Sequence, residues 1–229
     1  NVNISPNINV YRTSDEAGNW IEVGLPNSSN SYHIIVTKDG HSTDQTYPIS
    51  ASNPNPTKPD ATIANGQVTQ VSFSIDLLSD LMVKILNQTC SVMPDTGLAL
   101  RGAKLIGTSN IKDVPPVYKF YNTYTSNNLG QISLSDIEWD NYSPGLTDSE
   151  YMIYGSSPIQ QINLLPNTSQ IATLILGPSS TNSILVVVKD ASTDNPIEGA
   201  TVSINAHGSL DVVSKITGGS IWGQDDWTG

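Results

Sequence analysis

Chemistry in this 229-residue chain has to come from few side chains: it holds 10 Lys and Arg, 21 Asp and Glu, three His and one Cys. One acidic group is Asp190, Asp194 and Glu198 with Asn195, hard oxygen donors that bind calcium when a turn gathers them. The same residues also make an ordinary Asp-Asn-Pro turn with solvated charges, which is the preferred reading, and Asp225-Asp226 beside Trp227 poses the same choice. His33, His41 and His207 fall in separate stretches and no Ser stands in a Gly-x-Ser-x-Gly elbow, so no hydrolytic triad is expected. A zinc site of standard spacing is also missing. Cys90, in Thr89-Cys90-Ser91 after a strand, reads as a buried, inert thiol. Trp222 and Trp227 are the candidate ligand-contact aromatics, suited to stacking on a glycan, whereas Tyr32 and Tyr142 occupy equivalent places in a repeat and read as structural. No catalytic residue and no cofactor are read, so the expectation is a protein that is not an enzyme.

The elements that must position these side chains are strands. Ser, Thr and Asn make up roughly a third of the chain, against 37% hydrophobic and 14% charged residues, a polar surface on a β-type skeleton. Apolar residues almost nowhere recur at helical spacing; the exception is 76–86, where Leu77, Leu78, Leu81 and Met82 fit one turn before a strand. Alternation with β-branched and aromatic residues marks strands at 20–23, 32–37, 67–75, 81–86, 98–105, 118–124, 131–134, 169–176, 183–189 and 200–205. Turn signals such as Lys38-Asp39-Gly40 and Asn127-Asn128-Leu129-Gly130 separate them. The net charge of −11 repels a phosphate backbone, which sets nucleic acid aside. The longest aliphatic run, Ile184 to Val188, is far short of the roughly 18–20 residues that span a bilayer as a helix. Asn1-Val2-Asn3-Ile4-Ser5-Pro6 has neither a basic start nor an apolar core, so no signal peptide is read there; the chain is processed or a piece of a longer protein.

Internal repeats set the domain organisation. Ala17-Gly18-Asn19-Trp20-Ile21-Glu22-Val23 answers to Leu129-Gly130-Gln131-Ile132-Ser133-Leu134, and 65–75 answers to 166–176. An opening strand follows each of the second pair, at 80–86 and 182–189. The expected units are a partial β-sandwich over 1–79, a complete one over 80–177 and a partial one over 178–229. Half-sandwiches leave strand edges unpaired, so the C-terminal strands are expected to complete the N-terminal piece, within the chain or head to tail between chains.

In 182–205 an aliphatic strand leads to Lys189-Asp190 and then to Asn195-Pro196-Ile197-Glu198-Gly199-Ala200-Thr201-Val202. This resembles the opening of a carboxypeptidase regulatory-like domain, a transthyretin-like β-sandwich, and Gly24-Leu25-Pro26 followed by Tyr32 is similar to its later corner. More narrowly, 36–48 and 100–108 look like the ectodomains of prepilin-type surface proteins of uncultivated bacteria. The resemblance implies tandem transthyretin-like or Ig-like sandwiches, outside the cell, as a structural or adhesive module of a pilus-like appendage or stalk. Implied partners are copies of itself or other appendage subunits. The alternatives are a glycan- or peptide-binding module, or an accessory domain of a secreted enzyme. Collagen-adhesin B-type neighbours of the family form Lys–Asn isopeptide bonds; Lys84 and Lys189 lie on opening strands, but apolar Val36 and Leu146 stand where the acid belongs, so no such bond is expected. Asn-x-Ser/Thr sequons at Asn3, Asn27, Asn87, Asn141 and Asn167 read as polar loops in a bacterial chain.

Overall fold

The computed structural model describes residues 10–108, 115–159, 161–179, 186, 188–193, 197, 199–205 and 212–216. It is all-β, with no helix among the described residues. Ahead of residue 79 lie β1 (Ser28–Tyr32), β2 (Ile35–Val36), β3 (Asp44–Gln45) and β4 (Ala61–Ile63). β5 (Ser79–Asn87), β6 (Gly97–Gly102), β7 (Leu105–Gly107) and β8 (Val117–Tyr118) follow. Next come β9 (Tyr121–Thr125), β10 (Gln131–Ile137), β11 (Asp140–Leu146), β12 (Tyr151–Ser157), β13 (Ile162–Leu164) and β14 (Ser169–Pro178). The last two, β15 (Thr201–Asn205) and β16 (Val212–Ile216), pair with each other as an antiparallel hairpin.

The middle of the chain is a two-layer sandwich, with sheet order β10-β5-β14-β12 packed on β13-β11-β6-β9. β5 shows why: Ser79, Leu81, Val83 and Ile85 are buried and alternate with Asp80, Met82, Lys84 and Leu86, so one face is apolar. Ile132 and Leu134 of β10 and Ala172, Leu174 and Leu176 of β14 extend that face along the sheet, and Leu98 and Leu100 of β6 close on it from the opposite sheet. Each such aliphatic side chain contributes about 1.5–3 kcal/mol on burial. Tyr142 fills the far side, fully buried, its ring edge-on to Phe120 at 5.2 Å. Its hydroxyl donates to the Glu138 carbonyl at 2.5 Å, which satisfies the one polar atom that this core residue brings.

The first and last strands of the sandwich lie side by side and parallel: Asp80 pairs Ser169, Val83 pairs Ala172 and Asn87 pairs Leu176. The helical turn expected over 76–86 is absent; Leu77 makes a β-bridge with His41, and β5 begins two residues on, because its alternation has two neighbours to pair with.

The N-terminal segment uses the same grammar with fewer partners. β1 pairs β4, setting Tyr32 opposite Ala61, as β11 pairs β13 with Tyr142 opposite Ile162. Tyr32 also donates its hydroxyl back along the chain, to the Pro26 carbonyl at 2.8 Å. The expected strands 20–23 and 67–75 form no ladder. Their alternation is real, but no described strand pairs with them through a backbone ladder, and 67–75 is held on one side mainly by side chains. Of the expected strand 183–189, only 186, 188 and 189 fall among the described residues.

Candidate functional site

The segment 67–76 presents an edge with unequal sides. On one side the chain is engaged: the Ser72 carbonyl accepts from Lys58 Nζ at 2.9 Å, the Ser74 amide donates to Asp44 Oδ2 at 2.9 Å, and the Asp76 carbonyl accepts from the Ser42 amide at 2.7 Å. Lys58 Nζ closes this side with an ion pair to Asp44 at 2.5 Å and lies 4.5 Å from the centre of the Phe73 ring. Burial pushes the Asp44 carboxyl up, but the hydrogen bonds from Lys58, Ser74 and Gln45 outweigh it and hold the group below its ordinary 3.8. Backbone groups alternate in direction along an extended chain, so those of Val71, Phe73 and Ile75 face the other way. They have no hydrogen-bond partner among the described residues. The side chains of Val71, Phe73 and Ile75 are half-buried, while Ser72 and Ser74 between them are exposed. The segment 20–23 is equally open, with Trp20 46% exposed, Ile21 73% and Val23 79%.

Three turns show which parts of the sandwich these open stretches match. Asp15 Oδ1 accepts from the amides of Ala17 and Asn19, and the Gly18 amide donates to the Asp15 carbonyl. At Asn127 the pattern repeats, with amides of Leu129 and Gln131 on the side chain and that of Gly130 on the carbonyl. Asn87 does the same with Thr89, Ser91 and Cys90. The fourth residue of each turn has positive φ: Gly18 at 76°, Gly130 at 65° and Cys90 at 60°. Residues 20–23 therefore stand where β10 stands after Gln131. Gly66 at 72° and Asn167 at 55° likewise precede 67–76 and β14, matching Val71, Phe73 and Ile75 with Ala172, Leu174 and Leu176.

Where the N-terminal segment meets the sandwich, residues 53–58 lie along β7. The Thr57 amide donates to the Ile106 carbonyl at 2.9 Å, the Thr108 amide to the Asn55 carbonyl at 3.0 Å, and Asn53 Nδ2 to Ile106 at 3.1 Å. Lys119 Nζ donates to the Thr43 carbonyl and pairs with Glu138 Oε2 at 2.6 Å, while Lys104 Nζ pairs with Glu138 Oε1 at 2.9 Å and lies over the Trp139 ring at 3.2 Å. Beside this seam Ala51, Ser52, Pro115, Pro116, Val117, Tyr118 and Tyr121 line an open groove of about 550 Å³. Tyr121 is 62% exposed, and Arg101 sits over the Tyr118 ring at 4.5 Å.

No family model, curated protein or solved structure matches this chain.

The residues singled out by sequence are scattered. Asp190 builds a turn: its Oδ1 accepts from the Ser192 and Thr193 hydroxyls and amides, led by the Ser192 hydroxyl, and these hold the carboxyl down to about 2. Asp194, Asn195, Glu198, His207, Trp222, Asp225, Asp226, Trp227 and Asn3 lie outside the described residues. No group of three or more His, Cys, Asp or Glu able to hold a metal exists among the described residues. Lys84 sits on the outer face of β5, beside Thr173 of β14 and turned from the core by the strand alternation, so the residue that the isopeptide comparison singles out does not point inward. Cys90, expected to be buried, is exposed at the tip of its turn, in the position that Gly18 and Gly130 hold in the other two.

Sequence reasoning missed a hydrogen-bonded cluster in the N-terminal segment. Asp60 Oδ1 accepts from the Thr46 hydroxyl at 2.8 Å and meets His33 Nδ1 at 2.9 Å; Thr46 is fully buried and its hydroxyl also accepts from the Ile34 amide. The hydroxyl is spent on the carboxylate rather than on the imidazole, so the arrangement braces three loops instead of activating a nucleophile. Thr46 and Asp60 lie 13 and 27 residues from His33, and no local motif joins them.

Proposed function

We propose that this chain is an extracellular, non-catalytic structural or adhesive module of a bacterial surface appendage, built from transthyretin-like or Ig-like sandwich units in series, with copies of itself or other appendage subunits as partners. The observation that carries this reading is the parallel pairing of β5 with β14. Because the two strands run the same way, the chain comes into the sandwich at one end and leaves it at the other, about 30 Å along a ten-residue strand. That is the connectivity a string of units needs. Support comes from the seam at 53–58 and β7, where the segment before the sandwich adds backbone hydrogen bonds to the covalent link. The net charge of −11 argues against nucleic acid, and no described helix is long and apolar enough to cross a membrane.

Two measurements test it. Antibodies against residues 80–177 are expected to label intact cells that make the protein; labelling only after lysis overturns the extracellular assignment. Glycan and peptide arrays are expected to show no saturable binding. The second reading, a glycan- or peptide-binding module, rests on the groove with exposed Tyr121 beside Pro115 and Pro116. Saturable binding that falls tenfold or more in Tyr121→Ala would replace the first reading with the second.

A further inference from the structure

We infer that the outer edge of β9 is the docking site for the β9 of a second copy of this chain, the two strands running antiparallel about a two-fold axis at Thr123. The inference rests on the reading that copies of this chain are among its partners, and it adds the surface, the symmetry and the register. The sandwich ends in four edge strands, β10, β12, β13 and β9. An open edge invites a further strand unless something blunts it. β10 breaks register between Leu134 and Ile137, with Asp136 at a φ of 55°. β12 breaks register between Ile153 and Gly155 and runs into Pro158. β13 is three residues long and Pro166 follows it closely. β9 has none of these devices: Tyr121-Asn122-Thr123-Tyr124-Thr125 carries no charge and no Pro, pairs β6 without a bulge, and is exposed at every residue but Tyr124.

The direction of its backbone follows from the two ends of the ladder. The Gly102 amide donates to the Phe120 carbonyl and the Ser126 amide to the Thr96 carbonyl, both at 3.0 Å. Groups alternate along an antiparallel strand, so Asn122 and Tyr124 face β6, and the amides and carbonyls of Tyr121, Thr123 and Thr125 point outward. No described strand pairs with that side. A second copy of the same strand satisfies all of them. Centred on Thr123, it sets Thr123 opposite Thr123 and Tyr121 opposite Thr125, so each outward amide meets an outward carbonyl of the other copy. Thr–Thr and aromatic–β-branched pairs are favourable across strands. Charge points to the same occupant: two chains that each carry −11 repel, and here they meet along a strand with no charged residue. Because both copies use the same surface, the contact closes at two chains and joins the two four-stranded sheets that end in β9. A five-residue edge is small beside the roughly 1,200–2,000 Å² of a stable complex, so the pair is a weak one that forms at high concentration.

Sedimentation equilibrium of the full chain from about 1 μM to about 1 mM, the range in which weak contacts fill, tests this. The mass is expected to rise from that of one chain, 24.5 kDa, to that of two and no further. Thr123→Pro removes an outward amide and spares the ladder with β6, so it is expected to hold the mass at one chain. Thr123→Lys and Thr123→Asp each set like charges opposite one another at the axis; each is expected to weaken pairing several-fold, and an equal mixture of the two to restore it. Circular dichroism of each variant checks that the sandwich is still folded. Register is read by oxidation: Thr123→Cys chains are expected to cross-link several-fold more than Thr125→Cys chains, both carrying Cys90→Ser. A constant one-chain mass, growth past two chains, a rise that Thr123→Pro leaves unchanged, a charge mixture that pairs no better than either variant alone, or equal cross-linking overturns the pairing. If the pairing fails while intact cells are still labelled by antibody, the function proposed above survives; if labelling fails while chains still pair, the pairing survives.

Discussion

Val71, Phe73 and Ile75 on one side, and Ala172, Leu174 and Leu176 on the other, hold matching places after a turn with positive φ. The second three are at most 1% exposed, whereas the first three are only half-buried. Ile132 is 5% exposed and its counterpart Trp20 is 46% exposed. The two regions differ little in pattern and much in neighbours: in the sandwich β5 stands between β10 and β14, and in the N-terminal segment no described strand stands there. Alternation states which face a strand would bury, and a neighbour decides whether it does.

The sharpest way to break this comparison is to truncate both members of a pair in dilute, single-chain conditions. Leu174→Ala is expected to cost about 3 kcal/mol, the usual cost of a cavity in a closed core, and Phe73→Ala about 1 kcal/mol. Equal losses in urea unfolding would mean that the N-terminal segment is as tightly packed as the sandwich. The next pair is glycine. A Cβ at Gly130 would lie 2.7 Å from the Ile85 carbonyl oxygen and 3.0 Å from the Met93 nitrogen, while at Gly18 it meets nothing within 4 Å. Both substitutions to Ala carry about 1–2 kcal/mol for the left-handed backbone, so the excess at Gly130 reads the backbone packed around its turn. If the two melting temperatures fall equally, the turns are alike in surroundings as well as in hydrogen bonds.

The smallest effect concerns the two tyrosine corners. Tyr142→Phe leaves the half-buried Glu138 carbonyl without its donor, for about 1 kcal/mol, and Tyr32→Phe is expected to cost about 0.5 kcal/mol because water reaches the exposed bond to Pro26. Burial first, then the carboxylates of Asp140 and Glu138, hold the Tyr142 hydroxyl well above its ordinary 10.0. Above pH 10 the unfolded chain has lost this proton while the folded chain keeps it, so raising the pH favours unfolding. The contribution is full below pH 10 and is lost above it. Unfolding free energies measured from pH 9 to pH 12 are expected to fall less steeply in Tyr142→Phe; an unchanged slope would place the hydroxyl in solvent.

β5 and β14 were legible in the sequence because aliphatic residues recur at every second position and spell out one core-facing side of each, and the turns at Gly18 and Gly130 were legible as a repeat. β11 was not, since Asp140-Asn141-Tyr142-Ser143-Pro144 is polar and contains Pro. It is a strand because Tyr142 anchors it and β6 pairs it from Tyr142 to Leu146, and Pro144 is tolerated because β13 reaches only Asp140 to Tyr142. The opposite error, reading 20–23 and 67–75 as paired strands, has the same root: pairing is a property of two segments, and one segment does not contain it. The brace of His33, Thr46 and Asp60 was hidden for that reason too. Cys90 lies in the loop after a strand, as expected, but it is exposed rather than buried, because the hydrogen bonds to Asn87 make it the left-handed corner of a turn.

The parallel ladder of β5 and β14 has a mechanical side. Tension on the chain pulls β5 from its Ser79 end and β14 from its Pro178 end, in opposite directions along the strand axis. The eight paired positions from Asp80–Ser169 to Asn87–Leu176 are then loaded in shear, all together, whereas a hairpin pulled at its open end peels one bond at a time. Rupture must break the ladder as a unit while also dragging Val83 and Ile85 out of the core, so the same two strands by which the chain enters and leaves the sandwich also lock it against stretching.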